Sequence, residues 1–312
     1  MKKIILIIAL NLSAWVSGFA AEGFSISAVK GENVTVEYNG KPVVKLMTAN
    51  DKSSEQKAHE TYKVYLHVMD PTDAKGEKTI TKGVGDPYTH HRGIYIGWSK
   101  TKIDGKSYDT WHMKNGVRQE FAKIISQKAT AGSATFTAAI NWIVGEELLL
   151  SEQRTFEVRK LDEDGAFILD TTSQITAVKA DAELNGDPEH AGCQFRASAE
   201  VAKNKSAKYL FPTGKMSAKE VTESRDMPWA AMTFETGGKS YHVQHMSHPS
   251  LPKPLRYSAY RDYGRFGSFF VTTIKKGESE TFKVRFFISP GAFPDSMLED
   301  SKRRSEFYDK MK

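Results

Sequence analysis

Apolar and polar residues alternate with a period of two along almost the whole chain, and this limits the fold more than any other feature. Phe24, Ile26 and Ala28 alternate with polar neighbours, as do Val34, Val36 and Tyr38. Successive side chains of a strand point to opposite faces, so the pattern builds strands with one face buried. Asn39-Gly40 then supplies a hairpin turn, and Val43 to Leu46 resumes the pattern. Further strands are predicted at Tyr62–Met69, Gly93–Trp98, Ala134–Trp142, Leu148–Val158, Phe167–Thr176, Ala230–Phe234, Ser240–Met246, Phe266–Ile274 and Thr281–Ile288. Turn pairs such as Asp104-Gly105, Asn185-Gly186 and Gly237-Gly238 punctuate them. Strands and turns with no helical stretches between them exclude βαβ units. The expected fold is all-β, a large antiparallel two-sheet β-sandwich. With 312 residues, 39% of them hydrophobic, the chain can bury a core of that size.

One helix is expected, at about residues 296–311. Ser296 and Glu299 have capping-box spacing, and Met297, Ser301, Tyr308 and Met311 fall near one face. Asn50 to His59 is polar and reads as a loop. Residues 1–21 read as a signal peptide: Lys2 and Lys3 precede an apolar run that starts at Ile4, and small residues close it at Ala20-Ala21. The rest, 22–312, reads as a single domain without a membrane span, periplasmic or secreted. The net charge of +6 includes the two leader lysines and a local run at Lys302-Arg303-Arg304, so it does not point to nucleic acid. Cys193 is the one cysteine, which rules out an internal disulfide and a multi-thiolate zinc site.

Four segments, and more weakly a fifth, concentrate reactive groups. His90, His91 and Arg92 stand where a loop runs into a strand; imidazoles supply acid or base near neutrality, and a guanidinium holds paired oxygens. Only one of the two adjacent histidines faces any given site. The plainer alternative is a pair of rim histidines with structural hydrogen bonds. Glu189 and His190 sit on a turn, followed by Gln194 and Arg196 on one strand face. A carboxylate beside an imidazole suits acid/base work or a metal shell, although such pairs are common on surfaces. His242, His245 and His248 have a metal-like spacing, but residues three apart on a strand face opposite ways, which leaves His248 at the strand end as the functional residue. Arg261, Asp262 and Tyr263 combine hydrogen-bonding groups with a ring that can stack on a sugar; the alternative is a structural Arg-Asp pair. Glu152 and Arg154 share a strand face and either line the same cavity or pair across strands. Cys193 reads as a packed residue rather than a nucleophile.

In this order, Thr89-His90-His91-Arg92-Gly93, Leu150 to Arg154, Glu189-His190-Ala191-Gly192 with Gln194-Phe195-Arg196, His248-Pro249-Ser250 and Arg261-Asp262-Tyr263-Gly264 resemble a bacterial family of unknown function labelled methane oxygenase PmoA-like. Many members carry Asp-His-Pro before the His-His-Arg, where this chain has Pro87-Tyr88-Thr89. A membrane-embedded oxygenase subunit needs several hydrophobic spans, which this chain lacks, so methane oxygenation is not expected. The resemblance implies an exported β-protein of carbohydrate catabolism, similar to the large sandwiches of the galactose-mutarotase type. The expected activity is acid/base chemistry of epimerase, lyase or hydrolase type on a sugar or modified sugar. His90 or His91 would act as acid, and Glu189 with His190 as base. Arg92, Gln194, Arg196, His248, Arg261 and Asp262 would hold the ligand and Tyr263 would stack on it. The alternatives are a non-catalytic sugar-binding protein and a metal-dependent enzyme with His and Glu ligands, the metal and any cofactor being unassigned.

Overall fold

The computed structural model describes residues 22–161 and 165–311, so the leader expected over 1–21 lies outside the described residues. Two eight-stranded antiparallel sheets face each other. The first runs, in spatial order, Phe24–Val29, Asn33–Tyr38, Lys41–Met47, Tyr65–Val68, Ile94–Trp98, Ala191–Arg196, Arg265–Phe269 and Arg256–Tyr257. The second runs Lys208–Leu210, Trp229–Thr236, Lys239–Ser247, Ser279–Pro290, Phe167–Ala177, Glu147–Lys160, Ser133–Val144 and Val117–Ala129. A third, four-stranded sheet comprises Thr272–Ile274, Ala182–Asn185, Lys100–Ile103 and Lys106–Tyr108. The all-β sandwich expected from the alternation is the observed architecture. Its second hairpin turns at Asn39-Gly40, both at positive φ (49° and 75°), as the two-residue turn requires.

The inward faces of all three sheets feed one continuous core. Trp98 of the first sheet lies 6.3 Å from Trp142 of the second, ring to ring, and Phe195 lies 6.3 Å from Phe286. The two outer faces are covered differently. On the second sheet, Trp229, Ala231, Met246 and Phe287 receive Met297 and Tyr308 of the C-terminal helix Met297–Asp309. On the first sheet, Tyr65 and Tyr95 are covered by Trp111 from a loop. That loop-covered outer face carries the cluster described below.

Three sequence expectations need correction. Asn50 to His59 is not all loop: helix Glu55–Thr61 starts inside it, and Ser54 accepts from the Lys57 amide. The C-terminal helix forms, but Ser296 has helical φ/ψ and makes no cap; its hydroxyl donates to Asp300 instead, at 2.6 Å. The strand foreseen over Phe266–Ile274 is two strands in two different sheets. A complete capping box lies elsewhere, at Ser217 and Glu220, opening helix Ala218–Glu223. Ser217→Ala should therefore lower stability by about 1 kcal/mol in urea unfolding; an unchanged midpoint would mean that the cap contributes nothing.

Candidate functional site

Strand register brings the polar residues together. In the first sheet, Gln194 lies between Tyr95 and Gly267, and Arg196 is directly opposite Arg265. These alternate with Cys193, Phe195 and Phe266, which point into the core, so they project from the outer face. Gly267 has no side chain for a local reason: a Cβ there would stand 2.7 Å from Gln194 Cα and 3.0 Å from its Cδ. The bare glycine lets Gln194 lie flat across the sheet, where it accepts from Arg196 Nη1 at 2.9 Å and donates to the Ala191 carbonyl at 3.2 Å.

Two loops bring histidines over this face, and each uses the same short device. Asp109 accepts from the backbone amides of Trp111 and His112, and its other oxygen lies 2.8 Å from His112 Nδ1. Asp187 accepts from the Glu189 amide, with His190 Nδ1 at 2.9 Å. In both, the carboxylate turns its own loop and orients the imidazole three residues on, which leaves Nε2 for other partners. The two imidazoles face each other with centroids 5.0 Å apart, and His90 lies 4.6 Å from His112. The Trp111 ring forms a wall 6.2 Å from His190.

Glu189 anchors the other side. Its Oε1 accepts from the Tyr260 hydroxyl at 2.5 Å and from Arg261 Nη2 at 2.8 Å, and lies 3.2 Å from Arg265 Nη2. Burial opposes ionisation, but the Tyr260 hydrogen bond and the Arg265 and Arg261 charges outweigh it, and the carboxyl titrates below its ordinary range. A carboxylate held in this way is a poor proton acceptor. Tyr263 packs against Tyr88 at 4.9 Å and against His91 at 6.1 Å, closing that side.

Burial, reinforced by the cations of Lys63 and Arg196, pushes the His90 imidazole down to about 2. Burial and Arg196 hold His91 well below the ordinary value. Both rings are neutral at physiological pH, so neither is the protonated acid that the sequence reading makes of them. Lys63 is almost fully buried, donates to the His90 carbonyl at 2.9 Å and stands 4.0 Å from the Tyr95 ring centre. Burial, then Arg92 and Arg196, hold its ammonium far below the lysine range.

The structure thus gathers His90, His91, Glu189, His190, Gln194, Arg196, Arg261 and Tyr263. It places three other expected site residues differently. Arg92 is fully buried and ties down its own loop, donating to the carbonyls of Thr89, His91 and His59. Asp262 faces solvent, 3.8 Å from Lys205. His248 lies beside the C-terminal helix, over the far face of the sandwich, with Nε2 at 3.0 Å from the Met311 carbonyl and its ring 5.3 Å from Tyr308. His242 and His245 face opposite ways as expected, the first toward Phe287 and Phe293, the second toward Phe266 and Phe286. Among the described residues no group of three His, Cys, Asp or Glu side chains is arranged to hold a metal ion. Cys193 is buried, and burial pushes its thiol up to about 12, which suits a packed residue.

The sequence reading missed Asp109, His112, Lys63 and Arg265. One signal was present: Asp109-x-x-His112 repeats the spacing of Asp187-x-x-His190.

Known structures resemble the fold at low identity. The galactosidase domain of an alpha-galactosidase–sucrose kinase is 10% identical with a TM-score of 0.43, over 86% of this chain and 42% of that one. A galactose mutarotase related enzyme from Lactobacillus acidophilus is 10% identical with a TM-score of 0.37, over 87% of this chain and 98% of that one. A polysaccharide lyase is 9% identical with a TM-score of 0.33, over 91% of this chain and 34% of that one. The chain therefore spans less than half the length of the galactosidase and of the lyase. No helix among the described residues is long and apolar enough to cross a membrane. No curated protein matches the sequence. The family match carries no PmoA-like label: over residues 33–301 the sequence fits a family of unknown function, DUF6807, and the chain belongs to that family.

Proposed function

We propose that this chain is an exported carbohydrate-active enzyme that moves protons on a sugar or modified sugar, with His190 and His112 as the proton-transfer pair. The observation that carries this reading is the facing pair of Asp-x-x-His units, with both Nδ1 atoms held by carboxylates and the rings 5.0 Å apart. One imidazole accepts a proton while the other donates, as epimerisation or elimination requires. Tyr88, Tyr260 and Tyr263 supply the rings and hydroxyls that suit a sugar's apolar face and polar rim. Glu189 serves as the fixed point of Tyr260, Arg261 and Arg265 rather than as the base. His90 and His91 pack as neutral rings beside the pair, His90 against His112 and His91 against His90.

The test is incubation of purified protein with neutral, acidic and keto sugars in D2O, followed by mass spectrometry. The expected result is a product or deuterium incorporation, and a rate lowered about a hundredfold in His190→Gln with the fold intact. Saturable sugar binding with neither product nor deuterium would replace this reading with that of a binding protein.

A further inference from the structure

The charges of the cluster do not balance. Arg196 and Arg265 are directly opposite each other on neighbouring strands, and each is 1% exposed. Like charges placed so on an antiparallel pair repel, and taking them out of water adds to the cost. Arg265 has a counter-charge in Glu189, but it shares that carboxylate with Arg261. Arg196 has none: its Nη1 donates to Gln194 Oε1 and to the Phe195 carbonyl, both neutral. The nearby carboxylates of Asp109 and Asp187 are engaged by His112 and His190.

The donors are unspent as well. Nε and Nη2 of Arg196 and Nε of Arg265 are buried and make no hydrogen bond, and the same holds for Trp111 Nε1; Nη2 of Arg265 has only its 3.2 Å ion pair with Glu189. Folded proteins seldom leave buried polar groups unpaired, and here several share one place. We infer that the paired guanidiniums of Arg196 and Arg265 receive the carboxylate of an acidic sugar, a uronate or a derivative that retains the carboxylate. The inference rests on the sugar reading above and names its substrate class. A carboxylate matches the planar donor fork of arginine, and charge-assisted hydrogen bonds in a buried setting are the strong ones. It would give Arg196 its missing counter-charge and Arg265 a second one.

The surroundings supply an approach. Tyr88 is 45% exposed and sits at φ 58°, with its ring 4.9 Å from Tyr263 and 5.0 Å from His91. Tyr263 in turn lies under Arg265, 5.7 Å from ring centre to guanidinium carbon. Trp111 lies 5.3 Å from the Arg196 guanidinium carbon, and Tyr260, like Tyr263, lies 5.7 Å from that of Arg265, so a carboxylate reaches the arginines when this aromatic cover parts.

The experiment is calorimetric titration of the full protein with matched pairs: D-glucuronate against D-glucose and D-galacturonate against D-galactose, as monomers and trimers, with glucose 6-phosphate and acetate as further arms. A uronate should bind about tenfold or more tighter than its neutral partner. Arg196→Lys and Arg265→Lys keep a buried cation and lose the fork, and each should erase most of that preference, with folding checked by circular dichroism. The matched wild-type titrations decide the matter even if both variants misfold. Neutral sugars binding as tightly as uronates would overturn the carboxylate inference and leave the sugar reading standing. Tighter binding of glucose 6-phosphate, or no binding by any uronate, would also overturn it. Acetate binding as tightly as the uronates would sink the sugar reading together with it.

Discussion

Glu152→Ala is expected to destabilise the fold by about 3–5 kcal/mol, which makes it the most damaging single change considered for the sandwich interior. Glu152 and Arg154 lie two apart on one strand and point into the space between the sheets, 2% and 1% exposed. They form a two-pronged pair, Nε to Oε1 and Nη2 to Oε2, both at 2.7 Å. Arg154 then reaches across to the Val64 carbonyl at 2.9 Å, while Trp142 Nε1 donates to Glu152 at 2.9 Å. Removing the carboxylate strands a buried guanidinium and an indole N–H at once, and nothing nearby replaces either partner. Replacing both charged residues together tells a different story. Glu152→Met with Arg154→Leu removes two desolvated charges and keeps apolar volume, so the double variant should recover most of the loss. Urea unfolding of the three variants checks this. A double variant as unstable as Glu152→Ala would show that the link to Val64, rather than the charge balance, holds the sheets together.

That pair also marks how far the sequence could be read. Its two residues share a strand face by parity alone, so their alignment was legible. Whether they lined a cavity or paired was not, because that depends on what the opposite sheet presents. The same division recurs at the candidate site. Gln194 and Arg196 could be placed on one face from their spacing, but the position of Arg196 opposite Arg265 is a register between segments about 70 residues apart. Register of that kind is set by packing across the core, which no local pattern reports. Parity also failed where strands bulge. Val117–Ala129 shifts register twice against Ser133–Val144, so its alternation is broken and the sequence reading has no strand there. His248 was misplaced for a third reason. Its location follows from where the C-terminal helix docks, and an apolar stripe says that a helix docks without saying on which face. By contrast, the two Asp-x-x-His units are local devices with local hydrogen bonds, and their repeated spacing was open to reading from the start.

Lowering the pH from 7 to 5 should destabilise the fold by several kcal/mol, with the depressed imidazoles of His67, His90, His91 and His245 as the source. His245 is fully buried among Phe266, Phe286 and Tyr257, and burial pushes its imidazole down to about 3. His91 is 7% exposed and is held well below the ordinary 6.5 by burial and by Arg196, with His90, Arg265 and Lys63 adding to it. His245 is therefore neutral in the folded protein at pH 5 and His91 resists protonation, whereas in the unfolded chain both protonate near 6.5. The unfolded state binds more protons below that value, so stability falls with falling pH, from 6.5 downward until the folded values are reached. His67, His90 and His245, held at about 4, 2 and 3, each contribute about 2 kcal/mol between pH 7 and 5, and His91 adds to them in the same direction. Glu189 also acts so, but in a lower window: its folded value is depressed below 4.5, and its contribution fades only as the pH drops through that range. Urea midpoints at pH 7 and pH 5 test the claim, and His245→Leu separates the sources. That variant removes one of the four groups and should lower the pH dependence by about a quarter while Arg196 and Arg265 remain. Equal stability at the two pH values would mean that the buried imidazoles take up protons in the folded state, and with it that water reaches the cluster beneath Tyr88 and Tyr263.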